Sequence, residues 1–373
     1  MGSGGDGLIR AQETGLISNY YAPPPGSRSG VADYAEVLLR ALGRFGTWHV
    51  PLYHLGNNLL HAEIYGRALR QPGVIVLHDA VLHHLLLGTL SREEYIEEFV
   101  FNYGGWRRHL AEALWDERGN SGVDIRYFEF PMLRRIVERS RAVIVHNPGA
   151  ASIASAHGAG NVVVIPHFFS SAVPPDMADA LLFREDLRVA PGVTLFGIFG
   201  YLRETKRILP CIRAFRRLNA IRADTALLIA GEAVSSDLKR QLELEAADPG
   251  IIRIGHLNDR DFSTAAAAVD CCLNLRYPGA GETSGIAITM MGLAKPVIVT
   301  AGEENGDIPA TACLRVTPGV AEAAELFDHM ILAAAYPAIA RAIGEQARQH
   351  IFGRHSLETV AAQFWQVLCA ASS

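Results

Sequence analysis

Lysine is nearly missing from this 373-residue chain: of its 34 basic residues only Lys206, Lys239 and Lys295 are lysines, and the rest are arginines. Where a surface position accepts either cation this sequence uses arginine, so each surviving lysine is worth inspecting as part of a site. Cysteine is sparse and odd in number (Cys211, Cys271, Cys272, Cys313, Cys369), and neither C-x-x-C nor H-E-x-x-H spacing occurs. That pattern fits reduced, mostly buried thiols and argues against a disulfide framework or a dedicated metal site. No apolar run reaches the roughly 18 to 20 residues that a spanning helix needs. The N-terminus also lacks the basic-then-apolar order of a signal peptide, so no transmembrane segment and a cytoplasmic location are expected. An excess of positive charge is absent too: the net charge is -5 and the isoelectric point near 6.3, which disfavours a general nucleic-acid binder.

What is present is an ordinary globular composition, 49% hydrophobic and 20% charged, on a chain long enough for two domains. Short apolar, β-branched runs alternate with helical patterns, the signature of βαβ units and parallel sheets. The first half predicts strands at 15–19, 48–53, 74–77, 142–145 and 162–165, with helices over 31–42, 93–101 and 131–140; Ser91 and Glu94 have the spacing of a capping box. The second half repeats the scheme with strands at 194–199, 226–230, 251–254, 271–275 and 296–300 and helices over 208–219, 236–246 and 286–293. Ser170, Ser171, Pro174 and Pro175, then Pro191-Gly192, mark the break between the halves. The expected organisation is a loose tail or tag remnant over 1–13, an N-terminal domain over 14–172, a linker over 173–190, a C-terminal domain over 191–352, and a final amphipathic helix within 353–373. Each domain is α/β, a doubly wound parallel sheet, and ligands bind such sheets beyond the carboxyl ends of their strands.

Candidate chemistry falls at those strand ends. In Asn274-Leu-Arg-Tyr-Pro-Gly-Ala-Gly-Glu282-Thr283-Ser284-Gly285-Ile286 a strand ends, a glycine-rich loop presents one carboxylate, and a helix begins at a small hydroxyl. Free amides and the helix dipole at such a start favour an anion, although an ordinary loop with Ser284 as N-cap has the same shape. In Gly200-Tyr201-Leu202-Arg203-Glu204-Thr205-Lys206-Arg207 cations follow a strand, suited to clamping a diphosphate; Arg207 reads more simply as part of a solvated turn. Ten of the fourteen histidines precede residue 170, and His78-Asp79, His146 and His167 end predicted strands, with His54, His61, His83 and His84 nearby. A lone histidine is more often a structural hydrogen-bonder, but an imidazole at a strand end also suits proton transfer near neutral pH. The loop 23–30 is not G-x-G-x-x-G, and a nicotinamide-dependent oxidoreductase fits poorly.

In this order the motifs resemble the family-4 retaining glycosyltransferases (glycosyltransferase group 1) of the GT-B fold. The resemblance runs through Gly30-Val-Ala-Asp33-Tyr34, Leu77-His78-Asp79, Val145-His146-Asn147, Ile165-Pro166-His167, Gly200 to Lys206, Leu227 to Gly231, Ile254-Gly255, the Gly-Glu-Thr-Ser-Gly loop and Lys295-Pro296. Pro51 to Asn58 followed by His61 looks like a subgroup of that family. The resemblance implies two Rossmann-like domains facing a cleft, with the final helix crossing back to the first. It also implies transfer of a sugar, with retention and without a metal or other resident cofactor, from a nucleotide diphosphate sugar to an acceptor. His78, Asp79, Glu282 and Lys206 would be catalytic. Gly200, Tyr201, Arg203, Lys206, Gly231, Glu282, Thr283, Ser284, Gly285, Ile286 and Thr289 would hold the donor, and Gly30, Asp33, Tyr34, Asn57, Asn58, His61 and His146 would border the acceptor. Two positions depart from the family. Tyr201 stands where an arginine is usual, so that either Arg203 substitutes or the pair is incomplete, and Thr289 stands where a glutamate meets the ribose. These departures keep one rival in view, a sugar-nucleotide-binding or scaffold protein of the same fold that has lost catalysis; a second rival is a GT-B enzyme of another reaction type, such as a nucleotide-sugar epimerase or a phosphorylase. Base, sugar, acceptor and oligomeric state, including a homo-oligomer, are not fixed by the sequence.

Overall fold

Eleven short strands, all paired in parallel, form two sheets in the computed structural model, which describes residues 19–27, 29–170, 176–245 and 248–372. The first sheet orders β1 (Tyr20–Tyr21), β2 (Leu52–Leu55), β3 (Val74–Leu77), β4 (Ala142–Val145) and β5 (Val162–Val164) side by side in chain sequence. β2, β3 and β4 are buried throughout, as strands covered on both faces must be. Alternation sends Tyr53, Leu55, Ile75, Leu77, Val143 and Val145 into a core shared with helices Ala62–Arg70, Arg92–Tyr103 and Arg134–Arg139. His54 points to the opposite face, where Tyr34 of helix Gly30–Leu42 meets it. Helix Leu357–Ser372 belongs to this unit, together with residues 278–283, and its Trp365 stacks on Phe45 with ring centroids 5.9 Å apart.

The second sheet has the order β8 (Ile251–Ile254), β7 (Thr225–Ala230), β6 (Thr194–Phe199), β9 (Cys271–Asn274), β10 (Val297–Thr300), β11 (Leu314–Val316). That is the doubly wound order 3-2-1-4-5-6, and the chain changes direction across the sheet between β6 and β9. Connections leaving β6 and β9 therefore run in opposite directions from that point, the place where sheets of this order bind their ligands. Among the described residues no single helix is long and apolar enough to cross a membrane.

Strands β3, β4, β6 and β8 and helix Ile208–Asn219 coincide with the sequence expectation, and the Ser91–Glu94 capping box is present. The strand expected over 48–53 begins only at Leu52, because Pro51 has no N–H to give the ladder. The helix expected from Pro131 begins at Arg134, since Met132 lies at φ 58° and interrupts it. Part of the expected linker is folded. Asp176 caps helix Met177–Asp186, whose Ala180 and Phe183 pack on Ala267 and Ala268, while Arg184 donates to the carbonyl of Ala268 at 2.8 Å. β11 escaped the sequence reading through its brevity. The expected tail over 1–13, residues 15–18 of the first expected strand, residues 171–175 and Ala246 lie outside the described residues. Cys211, Cys271, Cys272 and Cys313 are buried free thiols, whereas Cys369 is exposed.

Candidate active site

At the β6–β9 switch point of the second unit, β6 is followed at once by Gly200, whose φ of +83° suits glycine. A Cβ there would lie 2.7 Å from Ile286 Cδ1 and 3.1 Å from Lys206 Nζ. Gly200, Lys206 and the first turn of helix Gly285–Gly292 therefore share one small region. Lys206 Nζ donates to the carbonyl of Phe199 at 2.7 Å, which holds the ammonium at the carboxyl end of β6. Ser284 is the helix N-cap, its hydroxyl accepting the Ala287 N–H at 3.3 Å. Gly231 at the end of β7 is needed for close packing: at φ +148° a Cβ would run into the Gly200 carbonyl.

Other donor-side candidates sit differently. Thr289 donates its hydroxyl back to the Gly285 carbonyl at 2.9 Å, within its own helix. Arg203 is exposed at the start of the turn Glu204–Lys206, and the Tyr201 ring stacks on His256 at 6.2 Å. Arg207, expected in a solvated turn, is instead half-buried in a bidentate pair with Glu322, its Nε 3.0 Å from both carboxylate oxygens. Arg276 escaped the sequence reading as a site residue. It stands two residues beyond the end of β9, and its Nη2 donates to Ser284 Oγ at 3.3 Å, on the same helix start.

The first unit gathers its histidines behind β2, β3 and β4. His54 Nδ1 and His78 Nε2 are 2.9 Å apart and share a proton-bearing contact. Tyr34 faces the rings of His78, His146 and His167 with centroids at 5.0, 5.2 and 4.7 Å. His61 and His146 each donate Nδ1–H to a carbonyl, of His54 at 3.0 Å and Ile165 at 2.9 Å, since a carbonyl can only accept. Nε2 is then the acceptor nitrogen of each ring, and that of His61 has no partner among the described residues. Burial pushes His54 down to about 3 and His61 down to about 4. Burial first, then the imidazoles of His146, His54, His61 and His167, hold His78 well below the ordinary histidine value. Such rings are neutral at pH 7. His78 is thus a hydrogen-bond partner and a poor proton acceptor.

Asp79 follows β3 and accepts the Asn57 N–H at 2.7 Å; a Cβ on Gly56 would lie 3.1 Å from Asp79 Oδ2 and 2.8 Å from His61 Nε2. The glycine-rich loop 278–283 packs on the same unit. Ala80, next to Asp79, donates its N–H to the Ala280 carbonyl at 2.7 Å. Asn147 Nδ2 donates to the Gly281 carbonyl at 2.9 Å and to Thr283 Oγ1 at 3.0 Å, while its Oδ1 accepts the Ala150 N–H and caps helix Pro148–Ala156. Glu282 Oε2 accepts the Ala280 N–H at 2.7 Å. His78, Asp79 and Glu282, far apart in sequence, are thereby fixed in one neighbourhood.

The remaining acceptor-side candidates are dispersed. Asn57 Oδ1 accepts the N–H groups of His84 and Leu85 at 2.9 and 3.1 Å, capping helix His83–Thr89, and Asn58 caps the turn Leu59–His61. Gly30 and Asp33 are exposed on the first turn of their helix. His83 is tied to the Phe130 carbonyl and to the Tyr95 hydroxyl in the aromatic core. His84 ring nitrogens contact Asn57 and the Ser121 carbonyl. Among the described residues no three or more His, Cys, Asp or Glu side chains are arranged to hold a metal ion.

No protein-family model and no curated protein matches the sequence. Solved structures do match the fold. Sucrose-phosphate synthase from Thermosynechococcus elongatus is 18% identical at a TM-score of 0.59, covering 89% of this chain and 76% of that one. Anabaena Alr3699/HepE, solved in complex with UDP-glucose, is 17% identical at 0.62, covering 91% and 82%. WaaG, a glycosyltransferase involved in lipopolysaccharide biosynthesis, is 13% identical at 0.62, covering 94% and 98%. The fold is α/β and its structural neighbours are GT-B glycosyltransferases.

Proposed function

We propose that the chain is a glycosyltransferase that moves a sugar, with retention, from a nucleotide diphosphate sugar to an acceptor. The observation that carries this reading is the convergence of Gly200, Lys206 and the Ser284-capped helix start at the β6–β9 switch point. A departing diphosphate gains negative charge, and a fixed ammonium with oriented amides stabilises that charge without reorganising. The nucleotide sugar acts as co-substrate, with Lys206 and the helix start supplying positive charge in place of a metal ion. His78, as a neutral hydrogen-bond partner, and the carboxylates of Asp79 and Glu282 are assigned to the hydroxyls of the donor sugar. Neighbours of the same fold were solved with UDP-glucose and with UDP, which supports a uridine nucleotide as the first candidate donor.

Calorimetric titration with UDP, GDP, ADP and dTDP tests the reading. One nucleotide is expected to bind, and Lys206→Ala to weaken it by about 1.5–3 kcal/mol, the size of a charge-assisted hydrogen bond. Absence of binding by all four would sink the donor site. A second reading, a binding or scaffold protein without catalysis, draws support from Tyr201 and from Thr289, whose hydroxyl is engaged within its own helix. It predicts nucleotide-sugar binding without release of free sugar, which a sensitive donor-hydrolysis assay distinguishes.

A further inference from the structure

His54 is completely buried on β2, yet one of its ring nitrogens meets His78, which is half-buried at the end of β3. We infer that His54 is a positioning residue: it donates Nδ1–H to His78 Nε2 and so fixes His78 in the tautomer that offers Nδ1–H to a hydroxyl of the donor sugar. The inference rests on the assignment of His78 to that sugar above. The contact between the two rings is in line. Their centroids are 5.2 Å apart and their planes 24° from parallel, while Nδ1 of one and Nε2 of the other are 2.9 Å apart. That separation is the least two imidazoles can reach at this centroid distance, so both nitrogens lie on the line between the ring centres. An N–H on one ring then points at the lone pair of the other. The backbones that carry them are fixed as well: His78 N–H donates to the Leu55 carbonyl at 2.9 Å, and the His54 carbonyl accepts Nδ1–H of His61 at 3.0 Å.

Which ring donates is decided at the far end of His54. Its Nε2 is buried without a hydrogen-bond partner among the described residues, in a ring packed by Tyr20 at 5.0 Å and Tyr34 at 6.1 Å. Burial keeps His54 and His78 neutral at pH 7, so each ring has one hydrogen to place. On His54 Nε2 that hydrogen would make a buried N–H with no acceptor, the rarest kind of orphaned group; on Nδ1 it leaves only a lone pair unmet. His54 therefore donates from Nδ1, His78 Nε2 accepts, and the hydrogen of His78 is left on Nδ1. That nitrogen makes no hydrogen bond among the described residues. A neutral imidazole on its own could present either a donor or an acceptor to a hydroxyl. Held by His54, this one presents a donor, and the hydroxyl must accept.

Long-range proton–nitrogen NMR correlations in wild type carrying isotope-labelled histidine read the tautomer directly, with the His78 signals identified by their loss in His78→Asn. A hydrogen on Nδ1 and a bare Nε2 are expected for His78. A hydrogen on His78 Nε2 overturns the inference, and this measurement requires no His54 variant to fold. The functional half is read from the ratio of affinities for UDP-glucose and UDP in wild type, His54→Phe and His54→Asn, or from the corresponding pair if the titration selects another base. His54→Phe is expected to lower UDP-glucose affinity roughly 3- to 10-fold, as for one lost hydrogen bond, with UDP affinity within about twofold of wild type. His54→Asn, whose amide N–H stands where Nδ1–H stood, is expected to recover most of the ratio. A role in packing alone gives the opposite order, because phenylalanine fills the space better than asparagine, and that order overturns the inference. Equal ratios in all three proteins also overturn it while leaving the donor reading in place. If wild type binds none of UDP, GDP, ADP and dTDP, the donor reading fails and this inference fails with it.

Discussion

At Gly231 the backbone lies at φ +148° and any Cβ would meet the Gly200 carbonyl, so two strand ends touch through a position that admits no side chain. Gly231→Ala is expected to destabilise the second unit by about 1–3 kcal/mol, the usual cost of forcing atoms into a packed site. A lower urea midpoint at an unchanged slope would register it, and an unshifted midpoint would contradict the packing argument. Single residues were legible in the sequence where their role is local. Ser284 caps its helix and Gly200 turns out of β6 as the sequence order implies. Roles made by distant partners were not legible: Asn57 reads as an acceptor-side amide, yet its oxygen caps a helix 26 residues further on, at His83. Arg207 reads as a solvated cation, yet Glu322 meets it from another helix.

Among the elements, helix Pro148–Ala156 and loop 278–283 are joined through one side chain. Asn147 caps the helix with its oxygen and holds the loop with its nitrogen. Asn147→Ser keeps a good capping oxygen but is too short to reach Gly281 and Thr283. Stability near wild type is expected for it, whereas Asn147→Ala is expected to lose about 1 kcal/mol through the missing cap. Both variants are expected to slow transfer, because Glu282 then rides on a loop that has lost two anchors. If Asn147→Ser transfers sugar at the wild-type rate with unchanged thermal unfolding, the anchor has no functional weight. Strand positions came through the sequence clearly because fully buried parallel strands are uninterrupted apolar runs. Pro51 and Met132 moved their boundaries through backbone constraints that hydrophobic pattern does not express, and the helix at Met177–Asp186 was hidden by the Ser/Pro run before it.

For the whole molecule, the buried imidazoles couple folding to pH. His54 and His61 titrate near 3 and 4 when folded and near 6.5 when unfolded, so the unfolded chain binds more protons across that interval. Stability from these rings is complete above pH 6.5 and declines as pH falls toward 4, by about 1.4 kcal/mol per pH unit for each ring that titrates. The second unit has a smaller counterpart in His350 and His355, whose ring centroids are 5.4 Å apart and where burial and then His355 lower His350, so the first unit, with the larger cluster, is expected to unfold in acid before it. Thermal unfolding from pH 7.5 to 4.5, followed through Trp48 and Trp365 of the first unit, checks this; a flat profile would refute it. His54→Gln should flatten the slope. The sequence showed the abundance of histidines at strand ends, but only the fold shows that they share one interior and that Tyr34 stands among them.

The scarcity of lysine also gives the molecule an unusual relation to amine chemistry. Lys295 is held inside by a 2.6 Å bond to the Ala267 carbonyl, Lys206 lies half-buried at the strand end, and Lys239 alone among the three is exposed. Acylating reagents should therefore mark Lys239 first among the side chains. A tether or dye attached through it would be nearly uniform in orientation, and slow modification of Lys206 would become a direct optical or mass readout of whether the donor site is occupied.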